Sequence, residues 1–159
     1  MPLTFNLRHI DKKDLSLCGT LPAEELELEL HDDISRASGP LAYELAVQLM
    51  EGAALVQGKV SLPMEFTCVR CLKQFERPLV LDGWVCHLPL VGDDAEPVVN
   101  DLVNLTPHVR EDILLALPQH PLCDPECGGL KLPQREAPSR TPEKAPSAWD
   151  ELDKLKLNN

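Results

Sequence analysis

The sequence predicts an α+β fold: an antiparallel β-sandwich or barrel-like sheet covered by one main helix, with a flexible tail ending in a short helix. Three observations carry this expectation. Five or six short segments between residues 3 and 90 repeat apolar residues with a period of two, one segment at 105–118 has a helical period, and the chain after Cys127 turns rich in Pro, Ser and charge.

"LTFNLRHI" (3–10) and "LSLCGTLP" (15–22) read as two short strands around the polar turn "DKKD", the second broken by Gly19 and Pro22. "ELELELH" (25–31) alternates Leu26, Leu28 and Leu30 with glutamates; Glu and Leu favour helix, but the period favours a half-buried strand, and the period is preferred. From Leu41 the odd positions Leu41, Tyr43, Leu45, Val47 and Leu49 are apolar, which predicts another strand, and "EGAA" turns the chain. "LVQGKVSLPMEFTC" follows as a strand pair or one long strand, with Gly58 and Pro63 marking a bulge or an edge, and a further strand runs through Leu79–Leu90. In "LTPHVREDILLALP" (105–118) Thr106 can cap a helix and Pro107 suits its first position. Val109, Ile113, Leu114 and Leu117 share the face that would cover the sheet, and Pro118 ends the helix.

These elements assign residues 1–130 to a β-rich domain with a zinc knuckle, 131–146 to a disordered linker, and 147–157 to an amphipathic helix. In the last segment Ser147 is a candidate cap, with Asp150 three residues on, and Trp149, Leu152 and Leu155 fall at helical spacing, a form suited to docking on a partner or folding back on the domain. At 159 residues the chain is long enough for one core without disulfides, and with 43% hydrophobic but 4% aromatic residues that core rests on Leu, Val and Ala.

The formal net charge is −11, and it is uneven: residues 1–130 hold 9 Lys/Arg against 21 Asp/Glu, whereas 131–159 hold 6 against 5. An acidic body repels phosphate, which argues against nucleic-acid binding by bulk charge and leaves a local basic patch or a basic protein as partner. No apolar run approaches the roughly 20 residues of a membrane span, and the first residues lack a secretory pattern, so a cytoplasmic protein without a membrane partner is expected.

In a reducing compartment six cysteines point to metal ligands or buried thiols. Cys68 and Cys71 form C-x-x-C, and Cys123 and Cys127 form C-x-x-x-C after the helix. Two such pairs are the usual makings of a closed, structural Zn2+ site, because each short loop delivers two sulfurs to one tetrahedral ion. The 51 intervening residues and the wider second pair depart from compact zinc ribbons, and reduced thiols without metal, or a redox pair, are the competing readings. Arg70, Lys73 and Arg77 would favour thiolates and offset the charge of such a site. His120 is a reserve ligand; His9, His31, His87 and His108 have no partner at ligand spacing, and Cys18 and Cys86 read as buried small hydrophobes. No nucleophile with its base, acid–base pair or Gly-rich phosphate loop is visible, so no catalytic residue and no small-molecule substrate are expected.

"FTCVRCLKQFERPL", then "LTPHVREDILLALPQHPLC", then a Pro-rich tail ending in "SAWDELDKLKL" resemble the YceD-like family of large ribosomal RNA subunit accumulation proteins. The resemblance runs in order over most of residues 60–157. It implies a bacterial or organellar, non-enzymatic factor in ribosome assembly, needed for accumulation of large-subunit (23S) ribosomal RNA. Some relatives carry a further cysteine knuckle that this chain lacks, which implies a single metal ion here. On this reading the partner is large-subunit rRNA or a basic ribosomal protein. Arg70, Lys73 and Arg77 would meet phosphate, while Trp149, Leu152 and Leu155 would meet a protein. The alternative is a zinc-stabilised protein-binding scaffold with no direct RNA contact.

Overall fold

A computed structural model describes residues 2–10, 14–30 and 33–131. In chain order these form β1 (Thr4–Asn6), β2 (Leu15–Leu21), β3 (Ser35–Ala37), β4 (Leu41–Met50), β5 (Ala53–Thr67), β6 (Gln74–Pro89), β7 (Leu102–Asn104) and helix α1 (Thr106–Ala116), with 3-10 turns at Leu7–Ile10 and Ala23–Leu26. The linker and the tail helix, with Trp149, Leu152 and Leu155, lie outside the described residues, as does His31.

All strand pairing is antiparallel. β5 is the spine of a curled, half-barrel sheet of five strands. β6 follows one of its edges from Ala53↔Pro89 to Thr67↔Gln74. The other edge is shared: β4 takes Ala53 to Ser61, and β3 takes Met64 to Phe66. β2 then pairs with β4, while β1 and β7 form a separate two-stranded ribbon.

The two residues expected to mark irregularities do so for different reasons. The register between β5 and β6 slips at Gly58/Lys59, and Gly58 has a φ of +155°, with the Glu44 carbonyl so close that a Cβ would overlap it. Pro63 falls at the seam where β4 gives way to β3, so its missing N–H interrupts neither pairing, while its carbonyl accepts from the Ser38 N–H at 2.9 Å.

Two expected strands differ. Residues 25–30 form no strand: the Glu25 N–H closes on the Pro22 carbonyl at 3.1 Å, the Glu27 N–H closes on the Glu24 carbonyl at 3.2 Å, and Glu27 adopts a φ of +46°. The alternating leucines face the core all the same, Leu26 fully buried and Leu28 and Leu30 half-buried, so the period recorded burial without a ladder. Likewise 3–10 is a strand only at Thr4–Asn6, after which the Leu7 N–H bonds to the Asp101 carbonyl at 2.9 Å and Leu7–Ile10 turns to bury Ile10.

α1 lies where expected, but Thr106 is not its cap. The Thr106 hydroxyl accepts from the Leu3 N–H at 2.9 Å, tying the helix start to the ribbon, while the Asn104 side chain accepts from the Thr106 N–H at 3.0 Å. Val109 and Ile113 are buried in the single core with Phe5, Leu62 and Leu88; Leu117 is half-buried and Leu114 is exposed. Trp84 on β6 donates its indole N–H to Asp112 at 2.6 Å, pinning the helix to the sheet edge.

Candidate metal centre

β5 ends at Thr67 and β6 begins at Gln74, so the first cysteine pair sits in the tight connection between the two longest strands. Within it the Leu72 N–H bonds to the Cys68 carbonyl and the Cys68 N–H to the Lys73 carbonyl, each at 2.9 Å, with Leu72 in the left-handed region at φ +61°. The second pair follows α1 in an irregular loop. There Asp124 organises the turn, its carboxylate accepting from the Glu126 N–H at 2.8 Å and its carbonyl from the Cys127 N–H at 3.0 Å. A backbone bond from the Val69 N–H to the Pro121 carbonyl at 3.0 Å joins the two loops.

The four sulfurs converge. All lie within 4.8 Å of one another, with Cys68 Sγ 3.8 Å from Cys127 Sγ and Cys71 Sγ 3.6 Å from Cys123 Sγ. These are not disulfides: all four cysteines are free, and an S–S bond is about 2.0 Å. A tetrahedron with metal–sulfur bonds of about 2.3 Å has sulfur–sulfur edges of about 3.8 Å, so the set can hold one metal ion with little movement. Cys68 is fully buried and the other three are half-buried, a closed donor set of the soft kind that suits zinc.

The thiols do not titrate alike. Backbone N–H groups of Cys123 and then Cys71 hold the Cys68 thiol down to about 6, against the opposing effect of burial. Cys123 is pushed up to about 12, first by its hydrogen bond with Cys71 and then by burial. Cys127 is also raised: the Gly129 N–H opposes the rise, but burial and the Cys71 and Cys68 thiols outweigh it. Without a cation the cluster therefore gives up its first proton readily and resists losing more, because like charges this close repel.

Two of the three cations of the knuckle reach across to the second loop. Arg70 donates through Nη1 to the Cys127 carbonyl and Arg77 through Nη2 to the Leu122 carbonyl, each at 3.1 Å. Arg77 also lies over the Phe75 ring, 5.1 Å from its centroid, and Phe75 packs on Phe66 at 5.7 Å. Lys73 is exposed, with no hydrogen bond or ion pair from its ammonium among the described residues. The basic spacing suggested charge compensation, but the bonds to carbonyls more than forty residues away have no sequence signal.

His120 is exposed and stands outside the cluster. Cys18 is exposed on β2, not buried, because its position in the alternation points away from the core; Cys86 is half-buried, and burial, then Asp112 and Glu96, push its thiol up to about 11. His9 and His87 are exposed, and His108 meets Glu96 at 2.9 Å.

Compared with known proteins, residues 56–156 match the family model described as large ribosomal RNA subunit accumulation protein YceD. No curated protein and no solved structure matches the chain.

Proposed function

The chain belongs to the YceD family of large ribosomal RNA subunit accumulation proteins, and from that membership we propose that it is a non-enzymatic ribosome-biogenesis factor supporting accumulation of 23S rRNA in the bacterial cytoplasm. The observation that carries the proposal is the extent of the match, which takes in both cysteine pairs and the tail segment through Leu155. Among the described residues no helix is long and apolar enough to cross a membrane. In this reading Cys68, Cys71, Cys123 and Cys127 hold one structural Zn2+, which locks the β5–β6 connection to the loop after α1.

The contact is with large-subunit rRNA or a basic ribosomal protein. An acidic body makes the protein the main source of affinity, with Arg70, Lys73 and Arg77 adding phosphate contacts that weaken with salt. Trp149, Leu152 and Leu155 supply an apolar docking stripe. The second reading, a zinc-stabilised scaffold without RNA contact, draws support from the bonds that engage Arg70 and Arg77 with the second loop.

Lys73 separates the two readings, since its ammonium has no partner to lose among the described residues. Co-sedimentation of the tagged chain with large-subunit precursors, measured for Lys73→Glu and for deletion of 147–159, is the test. Loss with Lys73→Glu supports phosphate contact; loss only on deletion supports the scaffold. A wild-type chain that never enters ribosomal particles would refute both.

A further inference from the structure

β2 runs beside β4 only as far as Leu21, opposite Leu41. Beyond that point β3 takes over the edge of β5, so a longer β2 would lie against β3. The chain instead turns away through Pro22, the 3-10 turn Ala23–Leu26 and the left-handed Glu27. The sheet is left one strand short at this corner.

The ladder shows which groups this leaves open. The Ile34 carbonyl accepts from the Thr67 N–H at 2.7 Å and the Ser38 N–H donates to Pro63 at 2.9 Å, so residues 34, 36 and 38 turn their backbone groups to β5. Those of Ser35 and Ala37 turn outward, and no backbone partner meets them among the described residues. A cleft of about 550 Å³ occupies the gap, lined by Leu28, Leu30 and Ile34 and by Glu24, Asp33 and Glu65. A second, of about 320 Å³, borders Pro22, Ala37 and Gly39. Arg36, the cation lining the first cleft, is held by both oxygens of Glu65 at 2.9 Å, which leaves Glu24 and Asp33 without a cation among the described residues.

We propose that this gap is a docking site for an extended basic segment of a partner protein, which adds as a strand to the free edge of β3. Its backbone pairs with Ser35 and Ala37, its apolar side chains meet Leu28 and Leu30, and its Lys or Arg side chains meet Glu24 and Asp33. The net charge of −12 over residues 1–130 draws such a segment in. The inference deepens the basic-protein arm of the functional reading and rests on it.

The test uses the full chain and a fluorescent decapeptide of alternating Val and Lys, with a Val–Glu decapeptide as control, followed by anisotropy. The Val–Lys peptide binds, and the Val–Glu peptide binds at least about tenfold more weakly. Ala37→Pro removes an outward donor and no bond to β5, and it lowers affinity at least about tenfold. The double variant Glu24→Lys/Asp33→Lys does the same, and it decides the matter alone if Ala37→Pro melts early. Equal binding of the two peptides, unchanged affinity in the variants, or tighter binding after deletion of 132–159, which would make the chain's own tail the occupant, overturns the proposal. Co-sedimentation with large-subunit particles keeps the two readings apart. A variant that loses the peptide but still enters particles sinks the docking site and leaves the family reading standing; a wild type that binds peptide but never enters particles does the reverse.

Discussion

Arg70 donates to the carbonyl oxygen of Cys127 at 3.1 Å, so a cation of the first cysteine loop holds the backbone of the last cysteine of the second. Arg77 repeats the arrangement at Leu122. The knuckle's positive charge and the closure of the sulfur cluster are in this way the same feature. Replacing Arg70 with Ala is expected to lower zinc affinity about ten- to hundredfold, the usual cost of removing an outer partner of a metal ligand. Competition with a chromophoric chelator measures it, and an unchanged affinity would leave the arginine free for another role.

Metal removal should loosen the chain at one end. With free zinc at a thousand times its dissociation constant the bound ion contributes about 4 kcal/mol, or about 10 °C in melting temperature for a domain of this size. Chelation, or Cys123→Ser, should produce that drop while far-ultraviolet circular dichroism still reports the sheet, whose packed apolar cluster does not include the four cysteines. A melting curve indifferent to chelator would argue against a resident ion.

Zinc loading should release protons. At pH 7 Cys68, held at about 6, is mostly ionised, whereas Cys123, at about 12, and the raised Cys127 are not. Loading therefore expels about two protons or more, and affinity falls as pH is lowered because protons compete for the sulfurs. Calorimetry in buffers of different ionisation enthalpy counts them; a binding heat independent of buffer would contradict the assignment.

The two cysteines outside the cluster should react differently. Cys18 is exposed, whereas Cys86 is half-buried with its thiol pushed from 9.0 to about 11. Iodoacetamide at pH 8 should modify Cys18 first, as read by peptide mass mapping. Because the folded-state value of Cys86 is the higher one, its contribution to stability is complete below pH 9 and is lost as pH rises through about 11. Cys86→Ala should flatten that alkaline decline.

Gly58→Ala should destabilise the domain by on the order of 3 kcal/mol or more, since the backbone there has a φ of +155° and the Glu44 carbonyl occupies the space of a Cβ. Urea denaturation measures the loss, and a cost below about 1 kcal/mol would mean the bulge can relax.

Much of the fold was legible because it is local. The period of Leu41–Leu49 follows from one buried face of β4, and Pro107 and Pro118 bracket α1 through their backbone chemistry. The same reasoning misplaced residues 25–30, because alternation reports which side chains are buried and not whether a neighbouring strand exists to pair with. Cys18 is a different case: Leu15, Leu17 and Leu21 mark the inward face of β2 and Cys18 falls on the other, so the alternation itself, and not its apolar neighbours, placed it outside.

By itself the sequence determined the two cysteine pairs, their spacing within each loop, the positions of the main strands and the helix, and the acidic balance, all properties of near neighbours along the chain. Only the tertiary structure decided that the two cysteine loops meet, that Arg70 and Arg77 grip the second loop, and that β2 stops short of β3. Those outcomes depend on long-range antiparallel register and on where the chain turns away from the sheet. They arise from contacts between residues tens of positions apart, which no short-range pattern encodes.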